Sequence, residues 1–313
     1  MRASVLRRDK NVALHEALRL IASSNTSVVE PSISFSTGVI YPIIVKVAAQ
    51  YGISESEVLE ELNRLGVFEK EPHETLVSCP NCNSIRLFSK LHCPGCGSDN
   101  LMKTLILTHA TCGGLNVLEE AEKTPNCTKC GKPLHETKVI GTLYQCRNCG
   151  ARFEAPLPAW RCADCRLSFD YKQNRYMTIY RYKVNKDKIQ TAEKQLLVSL
   201  ALEGFADLGL KVASAPQVKG KSGYFHSVDL ALTGGLTPLY VDIVPDSPRA
   251  LGEALSSIAK TTDLDGEHII FIPKTLEKSV ASAPGGNVLF YENARDLLQK
   301  TIQLQEKLKV KKR

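Results

Sequence analysis

Apolar and polar positions follow two different periods along this chain, and the change between them marks its parts. From Val12 to Ser23 the apolar positions recur every three or four residues. Leu14, Leu18 and Ile21 share a face, which predicts an amphipathic helix. A Ser/Thr-rich loop runs to about Gly38, and Val39 to Gln50 predicts a second apolar helix ending near Gly52. Ser54 and Glu57 have capping-box spacing and open a third helix, with Val58, Leu59, Leu62 and Leu65 as its core face. Gly66 ends it, and Val67, Phe68 and Val77 fit a short hairpin. The stretch 1–70 therefore reads as helical and winged-helix-like. The outer face of the third helix carries Glu55, Glu57, Glu60 and Glu61, which phosphates would repel. A docking or purely structural role is at least as good a reading there as DNA readout.

Past Lys186 the pattern predicts a helix over about Lys188–Leu208 and strands near Val212, at Ser227–Leu232 and at Leu239–Val244. A helix over Pro248–Lys260, a strand over His268–Ile272, a second helix, a strand over Asn287–Tyr291 and a final helix from Glu292 follow. The order αβββαβαβα is that of a mixed α/β domain.

Length and composition exclude two classes. The 313 residues are 43% apolar and 23% charged, values of folded protein rather than disorder. No apolar run approaches the roughly 20 residues that span a bilayer. Met1 to Lys10 holds Arg2, Arg7, Arg8 and Lys10 without an apolar core, so a signal peptide is not expected and the cytoplasm is.

The cysteines change the picture most. All 11 lie between Cys79 and Cys165, as Cys79-x-x-Cys82, Cys93-x-x-Cys96, Cys127-x-x-Cys130, Cys146-x-x-Cys149 and Cys162-x-x-Cys165, with Cys112 three residues after His109. Eleven thiols and one imidazole make the donor set of three tetrahedral sites, and a CxxC turn aims two thiolates at one ion, with zinc–sulfur bonds of about 2.3 Å. Gly97, Gly113, Gly131 and Gly150 each follow the second ligand of a pair, where a tight turn takes positive φ. Neighbouring pairs give the expected modules: Cys79/Cys82 with Cys93/Cys96, His109/Cys112 with Cys127/Cys130, and Cys146/Cys149 with Cys162/Cys165. The gaps inside them, 83–92, 113–126 and 150–161, are short enough for hairpins. Shifted pairings rank second, because they leave the first and last pairs to close across the whole segment. His92 and His135 lack knuckle spacing to an unpaired Cys. Three Zn2+ per chain, structural rather than catalytic, is the expectation.

The formal charge of +7 drops to about +2 once eleven thiolates and three divalent ions are counted, so total charge argues weakly for nucleic acid. Locally, Tyr171, Tyr176, Tyr180 and Tyr182 interleave with Lys172, Arg175, Arg181 and Lys183, as suits single-strand stacking. An ordinary strand burying Tyr180 and Tyr182 is the preferred alternative. The tail 306–313 holds Lys307, Lys309, Lys311, Lys312 and Arg313. Arg175, Arg181, Lys183, Lys309, Lys311 and Lys312 are the candidate nucleic-acid contacts.

Cys79-Pro-Asn-Cys82-Asn-Ser, Cys93-Pro-Gly-Cys96-Gly-Ser, His109-x-x-Cys112-Gly and Tyr144-x-Cys146-x-x-Cys149 with Phe153 and Pro156 resemble the thaumarchaeal output domain over roughly residues 40 to 185. That resemblance implies an archaeal regulatory protein, partnered by nucleic acid or a regulatory protein and not by membrane. Thr108 stands where family members often have a second His. Further on, Gly220-Lys-Ser-Gly223-x-x-His226-x-x-Asp229 resembles a stretch of the restriction-endonuclease-like fold. This resemblance implies Asp229 and Asp242 as metal-binding carboxylates, but Val244 stands where the catalytic Lys belongs. Lys260 is a migrated substitute.

These readings give a multidomain α+β chain: 1–70 helical and winged-helix-like, 71–185 with three zinc-ribbon or knuckle modules, 186–305 a mixed α/β domain of degenerate nuclease type, and 306–313 a basic tail. The expected function is zinc-binding regulation linked to transcription or signalling, without catalysis. The rival is a metal-dependent nuclease using Asp229, Asp242 and Lys260.

Overall fold

A computed structural model describes residues 2–119, 126–205, 211–235, 237–280 and 287–311. Contacts divide the chain into two compact units. One holds 1–32, 40–72 and 180–313; the other holds 33–39 and 73–179.

The first unit opens with α1 (Arg2–Ser24), which buries Val12, Ala13, Ala17, Leu18 and Ile21. Two short strand pieces follow, β1 (Val28–Val29) and β2 (Ser32–Ser34), and then β3 (Gly38–Ile40). Helix α2 (Pro42–Tyr51) starts on a proline and stops at Gly52, whose φ of 63° turns the chain out of the helix. Helix α3 (Glu55–Arg64) begins with the expected capping box. The Glu57 N–H donates to Ser54 Oγ at 3.2 Å, and the Ser54 N–H to Glu57 Oε2 at 3.0 Å. The wing is a correction. Val67 precedes, and Phe68 and Val77 lie within, one long strand, β4 (Phe68–Ser78), which pairs with a strand from much later in the chain rather than folding back as a hairpin. Periodicity marks a strand, but it does not name the partner.

The second unit is built from β5 (Leu87–His92), β6 (Leu101–His109), β7 (Leu115–Glu119), β8 (Thr137–Cys146), β9 (Arg152–Phe153), β10 (Leu157–Cys162) and β11 (Ser168–Asp170). β5 lies antiparallel to β10, with Leu87 opposite Cys162 and His92 opposite Leu157. β6 lies antiparallel to β8, with Leu101 opposite Cys146 and His109 opposite Thr137. The sheets run β11-β10-β5 and β7-β6-β8-β9. The core is sparse. Besides cysteines, its fully buried hydrophobic residues among those described are Leu107, Leu134, Phe169 and Ile179.

β12 (Arg175–Val184) returns the chain to the first unit and takes the middle of a sheet ordered β1-β12-β4. Tyr182 is buried on it, edge-on to Tyr41 and tilted against Phe68, and Tyr180 is half-buried with its carbonyl accepting from the Tyr41 hydroxyl. This is the ordinary-strand reading of the tyrosine-rich segment.

The remainder follows the predicted order with one added hairpin: α4 (Lys186–Phe205), β13 (Lys211–Ser214), β14 (Gln217–Lys219), β15 (Phe225–Ser227), β16 (Leu230–Thr233), β17 (Leu239–Ile243), α5 (Ala250–Asp263), β18 (Glu267–Pro273), α6 (Glu277–Val280), β19 (Asn287–Tyr291) and α7 (Ala294–Lys311). The sheet order is β13-β16-β17-β18-β19, antiparallel up to β17 and parallel from β17 to β19. Its strands bury both faces. Val241, Ile243, Ile269 and Phe271 pack on α4 and α7, while Val244, Ile270 and Ile272 pack on Ala250, Ala254 and Ile258 of α5. Helices α1, α2 and α3 belong to this same unit, with α1 packed on α4. The stretch 1–70 therefore does not stand apart from 186–305 as a separate domain.

Candidate metal centres

Each His-x-x-Cys or Cys-x-x-Cys pair sits in the same backbone turn. The first residue of the pair donates its N–H to the carbonyl five residues on, from Cys79 to Ser84, Cys93 to Ser98, His109 to Gly114, Cys127 to Lys132, Cys146 to Ala151 and Cys162 to Leu167, at 2.7–2.9 Å. The residue after the second ligand donates back to the first residue's carbonyl at 2.8–3.1 Å. That residue has φ between 57° and 74° in every turn. Four turns use Gly there, as the sequence suggests, and two use Asn83 and Arg166. Left-handed backbone costs a side chain with a Cβ about 1 kcal/mol or more. Arg166→Gly is therefore expected to stabilise the chain by about 1 kcal/mol, read as a raised denaturant midpoint with metal bound.

The turns gather into three groups of four: Cys79, Cys82, Cys162 and Cys165; Cys93, Cys96, Cys146 and Cys149; His109, Cys112, Cys127 and Cys130. Within each, all donor atoms lie within 4.8 Å of one another, so each group could hold a metal ion. Cys79 and Cys165 sulfurs are 3.5 Å apart, Cys93 and Cys149 3.6 Å, and Cys112 and Cys127 3.6 Å, while His109 Nδ1 lies 3.4 Å from Cys112 and Cys130. Zinc–sulfur bonds of about 2.3 Å in a tetrahedron place sulfurs about 3.8 Å apart, so the donor sets fit that ion.

Only the His109 group matches the expected modules. The other two are a correction: the outermost pairs join each other, and the next pairs in join each other, so the groups are nested. The gap between Cys82 and Cys93 holds β5, which runs away from the first turn instead of bending back. β6 then carries the chain from the middle group to the innermost, and β8 and β10 bring it back alongside. The chain of the second unit thus runs out and back once, with the three donor groups nested along it.

Two residues of the innermost group gave no sequence signal of their own. A Cβ on Gly114 would lie 2.8 Å from Lys129 Cβ, 3.1 Å from Cys127 Sγ and 3.2 Å from Cys112 Sγ. Asn116, buried, donates from Nδ2 to the Gly114 carbonyl at 3.1 Å and to Cys127 Sγ at 3.5 Å, and its Oδ1 accepts from the Thr128 N–H at 2.8 Å. Gly114→Ala is expected to weaken the innermost metal site roughly tenfold or more, measured by competition with a chromophoric chelator.

The thiols of a group are not alike. Burial opposes ionisation of Cys127, yet the N–H groups of Cys130 and Lys129 and the Asn116 amide bring it down to about 5. The N–H of Cys149 leads in lowering Cys146 to about 6, and that of Leu167 in lowering Cys165 to about 6. Cys82 and Cys96 go the other way. The N–H groups at Ser84 and Ser98 pull them down, but burial and the adjoining thiols outweigh this and push both up to about 12. Packed thiols cannot all ionise without a cation among them.

Asp229, Asp242 and Lys260 do come together. Asp229 precedes β16 and lies opposite Asp242 of β17. Asp242 Oδ1 accepts the Asp229 N–H at 3.1 Å, and its Oδ2 accepts from Lys260 Nζ at 2.8 Å with His268 Nε2 at 3.3 Å. Asp229 Oδ2 accepts the Ile243 N–H at 2.7 Å, and its Oδ1 pairs with Lys194 at 3.1 Å. All four carboxylate oxygens have donors from the protein itself. Burial raises Asp229 although Lys194 opposes it, whereas His268 and Lys260 overcome burial and hold Asp242 well below the usual carboxylate range. Val244 is buried against α5.

Arg181 Nε pairs with Glu71 Oε2 at 3.0 Å, while Arg175 and Lys183 are exposed near opposite ends of β12. Lys312 and the side chains of Lys309 and Lys311 lie outside the described residues. No helix is long and apolar enough to cross a membrane among the described residues.

The model of the family described as thaumarchaeal output domain 1 matches residues 6–184. No curated protein matches the chain. Among solved structures, protein VC1899 from Vibrio cholerae is similar over 40% of this chain and 38% of its own, at 11% identity and a TM-score of 0.27. The matched region thus spans well under half of that protein's length.

Proposed function

This chain belongs to the thaumarchaeal output domain 1 family, and we propose that it is a zinc-binding regulatory adaptor whose cross-linked hairpin presents a docking surface. One observation carries this reading. Twelve donors form three closed sets of four, which leaves no position for water or substrate on an ion. An imidazole with three thiolates, beside two all-thiolate sets, suits zinc. Metal in such sites holds a shape, and the shape then does the work.

A protein partner is favoured over nucleic acid by the side chains on offer. Leu115, Val117, Val139 and Ile140 are exposed on β7 and β8, as are Phe88 and Leu91 on β5. Several basic residues are engaged: Arg86 with Asp164 at 2.8 Å, and Lys90 with Asp99 at 2.7 Å. Capture of the partner by the zinc-loaded full chain should survive nuclease treatment, and a Leu115→Ser/Val117→Ser variant should lose it. Release by nuclease would favour the nucleic-acid reading through Arg175 and Lys183.

The arrangement around Asp229 and Asp242 supports a C-terminal domain without nuclease activity, because their oxygens already have protein donors. Purified protein with magnesium or manganese is expected to cleave neither duplex nor single-stranded DNA or RNA. Cleavage that disappears in Asp229→Ala would overturn this and make Lys260 the next residue to test.

A further inference from the structure

The ribbon β14–β15 ends in a tip that its surroundings hold rigid. The Gly220 carbonyl accepts the Gly223 N–H at 3.0 Å, the Gly220 N–H donates to the Tyr224 carbonyl at 2.7 Å, and Gly223 has a φ of 89°. This is a three-residue hairpin loop over Lys221, Ser222 and Gly223. Asp263, at the end of α5, clamps it. Its carboxylate accepts from the Ser222 N–H and Oγ, both at 2.6 Å, and lies 2.6 Å from His226 Nε2. Its carbonyl accepts the Lys221 N–H at 2.8 Å. A Cβ on Gly220 would collide with the Asp263 carboxylate. These contacts account for the Gly220-Lys-Ser-Gly223-x-x-His226 spacing.

The clamped tip displays Tyr224 and Phe225, 77% and 65% exposed, with Lys219 and Lys221 exposed beside them. Phe225 stands opposite Lys219 in the ribbon, and Tyr224 projects from the other face. Lys221 lies 3.9 Å from the exposed Asp265. Aromatic side chains on a rigid support are the usual anchors of protein interfaces.

At the other end of the same sheet, a cleft of about 980 Å³ opens beyond the carboxyl ends of β17, β18 and β19. Leu20 and Val47 give it apolar surface. Its four carboxylates, on Glu16, Glu193, Asp246 and Glu292, outnumber the cations of Arg19, Lys46 and Lys274. Arg19 is held by Glu193 at 3.3 Å and Asp246 at 3.0 Å, and Lys274 by Glu292, whereas Glu16 accepts only the Tyr51 hydroxyl among the described residues. Helix α5 runs from the cleft end of the sheet to the clamp at Asp263. At 1.5 Å per residue it separates tip and cleft by about 20 Å, so the tip does not reach the cleft of its own chain.

We propose that the aromatic tip of one copy of this chain seats in the carboxylate-rich cleft of a second copy. Tyr224 and Phe225 lie against Leu20 and its apolar surroundings, and Lys219 and Lys221 face the carboxylates. The cleft has the volume of sites that enclose a drug-sized molecule, and two aromatic side chains are of that size. Single-stranded nucleic acid suits the tip less well, because two cations beside an exposed carboxylate make few phosphate contacts. Tip and cleft are different surfaces, so the contact is head-to-tail and builds rings or filaments. It lies wholly in the first unit and is separate from the docking surface on the metal-bearing hairpin.

The test is sedimentation of the zinc-loaded full chain over a range of concentrations. Self-association is expected with a Kd below about 100 μM. Tyr224→Ser/Phe225→Ser blunts the tip, and Leu20→Arg fills the cleft; all three positions are exposed. Each variant alone should associate about tenfold or more weakly than the native chain. Mixed together they should form a dimer and nothing larger, because one brings only a cleft and the other only a tip. A native chain that stays monomeric at about 500 μM would overturn the proposal. So would a variant that associates as the native chain does, or a mixture that forms no dimer. Binding of a single-stranded oligothymidylate that is lost in the tip variant, with self-association unchanged, would assign the tip to nucleic acid instead.

Discussion

Stripping metal from the full chain should unfold residues 73–179 and leave the sheet β13-β16-β17-β18-β19 intact. The reason is the contrast in their cores. Among the described residues the hairpin buries only Leu107, Leu134, Phe169 and Ile179 besides its cysteines, whereas the other unit buries whole faces of strands and helices. Structural zinc contributes roughly 10–16 kcal/mol of apparent binding energy per site in small modules, so three sites together far exceed the roughly 6–12 kcal/mol that four buried side chains supply. Hydrogen exchange after treatment with a strong chelator is expected to show full loss of protection across β5, β6, β8 and β10. Protection of β17, β18 and β19 should persist. Elemental analysis should return three zinc ions per chain before treatment. Retained protection in the hairpin without metal would remove the basis of the structural reading.

Acid should act as the chelator does. In the metal-bound state the sulfurs carry no protons; in the metal-free, unfolded state the thiols ionise only around their ordinary pKa of about 8.5 and so keep most of their protons in the neutral range. The metal-free state thus binds more protons, so falling pH favours it and rising pH favours the loaded state. Zinc affinity is expected to climb with pH across the neutral range.

Paired substitutions should report the nesting directly. Cys79→Ser and Cys162→Ser each remove one ligand from the same group, so each variant, and the double variant, is expected to hold two zinc ions. Neighbouring pairing would place these residues in separate sites, and the double variant would then hold one. Cys93→Ser with Cys146→Ser makes the same test on the middle group. Cys112→Ser should lose the innermost ion alone. These counts come from the metal content of folded, gel-filtered protein, so they do not depend on activity.

What could be read from the sequence was what is fixed locally. The capping box at Ser54 and Glu57, the stop at Gly52 and the order of strands and helices after Lys186 all rest on residues a few positions apart. The knuckle pairs were equally legible, because a single short turn sets each of them. Partnership between turns was not, since spacing says nothing about whether the intervening strand bends back or runs on. The same gap hid the partner of β4. Asn116 and Gly114 escaped because their roles depend on sulfurs that arrive from Cys127, beyond the next loop. The carboxylate-rich cleft escaped because α1, α4 and the ends of β17, β18 and β19 meet only in the folded chain.

Nesting also imposes an order of assembly. Closing Cys112 to Cys127 loops out only 113–126, whereas closing Cys82 to Cys162 directly loops out the whole of 83–161. Starting from the outside therefore costs about 1.5 kcal/mol more in chain entropy than starting from the tip. Once the tip is closed, β6 and β8 can zip toward the middle group, and β5 and β10 toward the outer one, each step ordering only the next short stretch of chain. Metal loading during folding accordingly runs from the innermost group outward. A lesion at the tip slows acquisition of all three ions, even where the final count falls by only one.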